Sequence, residues 1–409
     1  MRVLFALWIL LVAGTGCTSE APTSQSTVAD TVRVMAYNIE DIRTQDVRRA
    51  DHPRLQRAAA RIQHLQPDIL LINEMTYDQP GAPGYREGDP HGLNAQRFAV
   101  RYLAQAQADT LASLRYTPLM LPSNTGEPSG FDLDNNGEIV TTVPSIPPPT
   151  TNGGVAPQTR AGRAYGGDAW GFGTFPGQYS MALFVREDLT IVRDSIRTFR
   201  MLRWSSVPDA LVPVDSVTGE PWYGPDEWEA MRLSSKSHWD IPVRLPTGDT
   251  LHVLASHPTP PVFDGAADRN GRRNYDEIRL WADYLDNAPY IQDDSSRTGG
   301  LSRGASFVIM GDQNADPDEG DDREGAIDQL LDHPRVQAIR PEASPTGQAA
   351  FPSLSADATS RFGMRIDYVL PSTTLQVLQS GVWRPHGPEA TDPPVSDHFP
   401  VWADVAFTR

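Results

Sequence analysis

The sequence predicts one mixed α/β domain built on two packed β-sheets. Two features of its 409 residues carry that expectation. Strand and helix pairs come first, and mainly antiparallel strands with helices between them follow, an order that suits two sheets made by one chain. The run DILLINE at 68–74 is apolar without alternation, as a strand covered on both faces requires. No linker divides the chain, and no internal repeat is present.

Element by element, Val32, Val34 and Ala36 alternate through a strand over 32–37, which ends at Asn38 and Glu40. Leu55, Ala58, Ala59, Ile62 and Leu65 share one helical face until Pro67 stops the helix, and the strand DILLINE ends in Glu74. A second helix is expected from about Asn94 to Leu114, then a strand at YTPLML. Residues 121–178 are dominated by Gly, Pro, Asn and Thr, which predicts a long irregular surface loop, functional or mobile. Strands resume at YSMALFV, LTIV, IRTFRML, SHWDIPVRL and TLHVLASH. A helix from Asn274 to Leu285, the strand ASFVIMGD, a short helix near 325–332 and the strands MRIDYVL, LQVLQSGVW and FPVWADV complete the chain.

The opening MRVLFALWILLVAGTGC has one early positive charge, an apolar run too short to span a bilayer and small residues before Cys17. Residues 1–17 therefore read as a secretory signal. Cys17 is the only cysteine, which excludes an intramolecular disulfide. It resembles the lipid-attachment cysteine of bacterial lipoproteins, although Gly14 stands where such signals usually carry Leu. The expectation is an exported monomer, secreted or held at the bacterial cell envelope by a lipidated Cys17, with no other membrane contact. Residues 18–31 form a flexible Ser/Thr/Pro tether and 32–409 the folded domain. A net charge of −17 and a pI near 4.9 argue against a broad basic surface for gripping nucleic acid. Lys236 is the only lysine, so arginine carries nearly all the positive charge.

Strand after strand meets a polar residue of one type at its end. Asn38, Glu74, His257, the pair Asp312 and Asn314, and the pair Asp397 and His398 all stand there, and Asp367 lies inside RIDYVL. Each alone has a plain reading as a turn residue, cap or surface acid. Together they occupy the positions where a scaffold presents reactive side chains. Asn, Glu and Asp oxygens suit Mg²⁺, Mn²⁺ or Ca²⁺, and histidines beside acids supply proton donors or acceptors. Zinc held by cysteines is excluded, and no GxSxG elbow, P-loop or dinucleotide glycine pattern supports another chemistry.

The segments MAYNIE, PDILLINEM, SHPTPP, MGDQNADP, RIDYVLPS and SDHFP, in this order, resemble the endonuclease/exonuclease/phosphatase family over roughly residues 32–407. The resemblance implies an α+β fold, a four-layer αββα sandwich of two mixed sheets flanked by helices, and a phosphoesterase dependent on Mg²⁺ or Mn²⁺, with Ca²⁺ a further option. It would hydrolyse a phosphodiester or phosphomonoester by attack of water. Asn38 and Glu74 would lie at the metal with Asp397 as a further acidic group. Asp312 and Asn314 would contact the scissile phosphate and the water. Asp367 would orient His398, as general base or phosphate-stabilising donor, and His257 would be a leaving-group acid or phosphate contact. Asn73 replaces a common Gln and Gln313 a common Phe, and neither change removes a ligand. A phosphorylated small molecule, a lipid headgroup or nucleic acid remains open as substrate, with the acidic charge favouring a small one. An extracellular nuclease of the same family and a surface-binding protein without catalysis are the competing readings.

Three further segments have two readings each. Arg269, Asn270 and Arg273 would hold a substrate phosphate, or belong to a solvated loop before a helix capped by Asn274. Asp132, Asp134 and Asn136 are spaced like the first half of a calcium loop; Val143 stands where its closing Glu belongs, which rules out an EF-hand and leaves a calcium-stabilised turn or an ordinary Asn-Gly turn. Trp170, Phe172, Phe175 and Tyr179 would stack on a substrate ring or seal the core. Loops 121–178 and 204–235 are where specificity is expected.

Overall fold

Apolar residues on both faces of two sheets give this protein three apolar layers. The computed structural model describes residues 31–148, 157–263 and 265–408. The expected signal peptide, Cys17 and most of the expected tether lie outside the described residues.

The first sheet contains β1 (Thr31–Ile42), β2 (Ile69–Met75), β3 (Tyr116–Leu119), β4 (Met181–Arg186), β11 (Leu375–Val382) and β12 (Val401–Phe407), in the order β11-β12-β1-β2-β4-β3. The second contains β5 (Thr190–Ile191), β7 (Trp239–Arg244), β8 (Thr250–Ala255), β9 (Ser306–Asp312) and β10 (Asp367–Pro371), in the order β10-β9-β8-β7-β5, with β6 (Arg197–Thr198) also paired to β7. Both are mixed: β1 runs parallel to β2, β8 runs parallel to β9, and the other pairs are antiparallel.

The period of two along each strand explains the layers. Val34, Ala36, Ile69 and Leu71 face the second sheet, where they meet Ile241, Val253, Val308 and Met310. Their neighbours Met35, Tyr37, Leu70 and Ile72 face outward onto the helix Pro53–Leu65 and the helical segment around Phe98 and Tyr102. On the far side, the helix Arg269–Leu285 lays Ile278, Trp281 and Tyr284 against Phe307 and Ile309 of β9. The result is the four-layer αββα sandwich, and the unbroken apolarity of DILLINE is its direct consequence.

Several expected boundaries are corrected. The helix expected to reach Leu114 ends at Leu103, after a π-helical turn over Ala99–Leu103. The Gln63 amide donates to the carbonyls of Leu103 and Gln105 at 3.0 and 2.6 Å, so a side chain satisfies the helix end there. The later helix begins at Arg269, with Asp268 rather than Asn274 at its N-cap position. Segment 121–178 is not free of regular structure, because Thr159 caps a helix over Arg160–Gly167 by accepting from the Gly162 N–H at 2.9 Å. Phe175 is fully buried and Trp170 nearly so, which gives both a packing role, while Phe172 stays 41% exposed.

His238, just before β7, is sealed between the second sheet and its helix. Its Nδ1 meets Ser234 Oγ at 2.6 Å, its Nε2 meets the Glu277 carbonyl at 2.9 Å, and its ring packs on Trp281. Burial lowers its pKa from 6.5 to about 4. The unfolded chain therefore binds more protons between those values, so stability is full above about pH 6.5 and falls as pH drops toward 4, by up to about 3 kcal/mol. Urea unfolding of wild type and His238→Gln at pH 8 and pH 4.5 should show a shallower acid loss in the variant. Equal losses would contradict this origin.

Candidate active site

β1 does not stop at Asn38. It runs on to Ile42 through a bulge in which the β1–β2 register shifts, and Glu40 and Asp41 take φ of 51° and 42° there. Such backbone persists only where its surroundings hold it. Arg54, buried on the helix Pro53–Leu65, donates through Nη1 to the carbonyls of Ile39, Glu40 and Val395 at 2.6, 2.7 and 3.2 Å. Asp41 is locked by Arg43 at 2.7 Å and Gln178 at 3.0 Å. The bulge thereby aims the Asp41 N–H at Glu74 Oε2, 2.9 Å away.

Asn38 then joins the sheets. Its Nδ2 donates to Glu74 Oε1 at 3.1 Å on β2 and to Asp312 Oδ2 at 3.0 Å on β9. Asn73 adds a second crossing, accepting from the Asp312 N–H at 3.3 Å and donating to the Ser256 carbonyl at 3.4 Å. At Gly311, φ is 134° and a Cβ would sit 2.1 Å from the Ser256 carbonyl oxygen, so only glycine lets the chain reach Asp312 by this path. Asn314, at φ 50°, donates its own N–H to Asp312 Oδ1 at 2.9 Å and its Nδ2 to the Pro258 carbonyl at 3.1 Å.

Both predicted histidines close on Asp312. His398 Nδ1–H donates to Asp367 Oδ2 at 2.8 Å, which leaves Nε2 3.8 Å from Asp312 Oδ2 and 3.7 Å from Asp397 Oδ1. His257 Nε2 lies 3.4 Å from Asp312 Oδ2. Ser396 ties this end of β12 to β1 by donating to the Asn38 carbonyl at 2.8 Å and accepting from the His398 N–H at 3.0 Å. Asn38, Glu74, His257, Asp312, Asn314, Asp367, Asp397 and His398 thus form one cluster.

The electrostatics are those of acids crowded out of water. Burial pushes the Glu74 carboxyl up to about 7, partly offset by the Asn38 and Asp41 donors. Burial pushes Asp367 up to about 6 against the pull of His398, while burial would lower His398 but the Asp367 and Asp312 carboxylates outweigh it and favour imidazolium. Burial would also raise Asp312, yet His398, His257 and Asn38 hold it below the usual carboxylate range. His257, buried and near Lys236, falls to about 4 and is neutral at pH 7.

The donor set suits a hard divalent cation. Asn38 and Glu74 offer amide and carboxylate oxygens, the Asp397 side chain is 47% exposed beside them, and a cation removes the desolvation penalty on the half-buried Glu74 carboxylate. Among the described residues, Asp312, Asp367 and His398 bring three donor atoms within 4.8 Å of one another, as do Asp132, Asp134 and Asp168.

The remaining candidate residues fall elsewhere, and here the phosphate-binding expectation is corrected. Arg273 is buried with its guanidinium bonded to the carbonyls of Leu233, Trp170 and Arg232. Arg269 donates to the Leu133 carbonyl and stacks on Trp222, and Asn270 donates to the Val262 carbonyl. Their donors fasten loops because the helix begins at Arg269 and draws them into its first turns. Asp132 and Asp134 accept the N–H of Asn136, and Asp132 also that of Gly137, as an Asx turn does.

Two groups at the site carry no motif in the sequence. Lys236 is buried, donates to the Pro258 carbonyl at 3.2 Å and lies in the field of Glu74 and Asp312; its being the only lysine was the available signal. Glu277, fully buried, accepts from the N–H of Ser235 at 2.6 Å, from Ser235 Oγ at 2.9 Å and from the Thr259 N–H at 2.6 Å. It clamps the loops of Lys236 and His257 together, and only its place on a helical face could have hinted at that. Because Gln would turn a donor toward one of these N–H groups, Glu277→Gln should cost about 1–3 kcal/mol in urea unfolding. A change within error would remove Glu277 as the clamp.

The sequence profile of the Endonuclease/Exonuclease/phosphatase family matches residues 35–398. No curated protein sequence matches the chain. Similar solved structures include an endonuclease/exonuclease/phosphatase from Beutenbergia cavernae DSM 12333, at 18% identity over 92% of this chain and 72% of that one with a TM-score of 0.47. The catalytic domain of human Nocturnin with bound sulfate is 14% identical over 92% of this chain and 95% of that one, with a TM-score of 0.44. A family protein from Bacteroides vulgatus is 13% identical over 93% and 100%, with a TM-score of 0.45. The family's members are divalent-metal-dependent hydrolases of phosphoester bonds. With its profile running from the strand of Asn38 to His398 itself, this chain belongs to the endonuclease/exonuclease/phosphatase family.

Proposed function

We propose that this protein hydrolyses a phosphodiester or phosphomonoester of a small phosphorylated molecule by direct attack of water, with Mg²⁺ or Mn²⁺ bound at Asn38, Glu74 and Asp397. The observation that carries the proposal is the double hydrogen bond from Asn38 Nδ2 to Glu74 and Asp312, which brings the hard-oxygen donors of one sheet against the acid and histidines of the other. When bound, the cation neutralises phosphate charge and polarises the P–O bonds.

The chain's own groups supply the rest. Asp312, ionised, and Asn314 face the position of the phosphate and water, and Asp312 accepts the proton the water releases. Asp367 fixes His398 with Nδ1–H inward, so Nε2 is the reactive nitrogen, and its favoured imidazolium form donates to a phosphate or leaving oxygen. Lys236 lies buried at the back of the site, where burial lowers its pKa and the Glu277, Glu74 and Asp312 carboxylates act against that loss to favour its charged form. The net charge of −17 supports a small substrate over a polyanion. Export and a lipid anchor at Cys17 are part of the proposal and rest on the first seventeen residues alone.

In assays of the purified chain with bis-p-nitrophenyl phosphate, p-nitrophenyl phosphate and plasmid DNA, hydrolysis should require Mg²⁺ or Mn²⁺, stop with EDTA and vanish in His398→Ala and Glu74→Ala. Mg²⁺ should raise the Tm of wild type but not of Glu74→Ala. Full turnover in either folded variant sinks the assignment, and preferential cleavage of DNA would select the nuclease reading. Asp367→Asn should lower kcat by roughly 10²-fold with KM changed far less, since it disorients a group needed in the transition state. A loss confined to KM would place Asp367 in binding instead.

A further inference from the structure

Beyond His398 the surface opens into a cleft of about 400 Å³, lined by Asp316, Asp318, Arg340, Asp357, Arg361 and Phe362 among others. None of the catalytic side chains lines it, but its Phe362 and Arg361 wall touches the catalytic cluster. The Phe362 ring meets His398 edge to face, with centroids 5.9 Å apart and an interplanar angle of 88°. The Arg361 N–H donates to the Asp397 carbonyl at 2.7 Å and its Nε to the Ser396 carbonyl at 3.0 Å, so the cleft wall is bonded to the segment that carries His398.

Its chemistry is specific. Arg340 is paired with Asp318 at 3.1 Å and with Asp357 at 2.5 Å, and the lining sets four acids against three arginines, so the charges inside nearly balance and a further charged group gains little. Carboxylates and guanidinium groups held side by side offer acceptors and forked donors to neighbouring hydroxyls. Phe362 is 56% exposed at the edge of the cleft, a flat apolar face beside those polar groups. Apolar side chains are too few among the lining residues to take an acyl chain. The volume is in the range of small-ligand sites.

We infer that this cleft binds the group esterified to the phosphate, and that the group is an uncharged sugar ring, stacked on Phe362 and hydrogen-bonded by the Asp318, Arg340 and Asp357 array. The inference rests on the phosphoesterase reading and names its substrate class.

Glucose 6-phosphate and p-nitrophenyl phosphate serve as probes with the full chain and Mg²⁺, in wild type, Phe362→Ala and Asp318→Asn. Phe362 and Asp318 are largely exposed, so neither substitution opens the core. Relative to p-nitrophenyl phosphate, kcat/KM for glucose 6-phosphate should fall about tenfold in Phe362→Ala and should also fall in Asp318→Asn. Saturation-transfer NMR should show glucose ring protons in contact with wild type and weaker transfer in both variants. An unchanged ratio, or a wild type that prefers phosphocholine, an ester without a sugar ring, to glucose 6-phosphate, overturns the assignment. No turnover of any ester rejects the phosphoesterase reading alone; the cleft is then judged by the NMR, and absence of transfer to wild type overturns it.

Discussion

One amide group holds the site together. Asn38 spends both hydrogens of its Nδ2 on carboxylates of different sheets, Glu74 and Asp312, at a point where those acids would otherwise repel each other. Everything else in the cluster follows from that crowding. Four acids, Glu74, Asp312, Asp367 and Asp397, meet at one edge of the sandwich, and water reaches few of them. The compensation comes from hydrogen bonds, from a histidine that favours its charged form and, in the proposed mechanism, from a divalent cation. In the proposed mechanism the cation drawn by this imbalance supplies the positive charge that a phosphate needs to approach.

The scaffold serves this edge through a small number of buried polar contacts rather than through local strand geometry alone. Arg54 holds the bulge after Asn38, Asn73 and Gly311 bring β9 within reach of β2, and Glu277 joins the loops of Lys236 and His257 from the helix behind the second sheet. Asn274 on the same helix donates to the carbonyls of Thr259, Gln313 and Asn314 at 2.9, 2.9 and 3.3 Å. These residues stand behind the cluster, yet they set where its side chains point. Left-handed φ values at Glu74 and Asn314 show that the backbone itself is bent to the purpose, and the apolar layers on either side of the sheets supply the rigidity that keeps it bent.

Short-range pattern made much of this legible. Alternation in TVRVMA, unbroken apolarity in DILLINE and helical spacing from Leu55 to Leu65 marked the layers, because burial on one face or both imposes a period on the sequence. The polar residues at strand ends marked the chemistry, because scaffolds expose reactive groups there. What failed did so for reasons of tertiary origin. The helix from Asn94 ends early because Gln63, distant in sequence, captures its last carbonyls. Arg273 has the composition of a phosphate ligand but is buried under three loop carbonyls. Glu277 and Arg54 carry no signal in a single sequence, since a buried polar clamp looks like any polar residue on a helix. The sequence by itself therefore determined the layers of the fold and the kinds of side chain at the site. Only the tertiary structure decided which donors those side chains face, which arginines are spent on the backbone and which cleft opens beside His398, because hydrogen-bond partners and burial are set by residues dozens to hundreds of positions away.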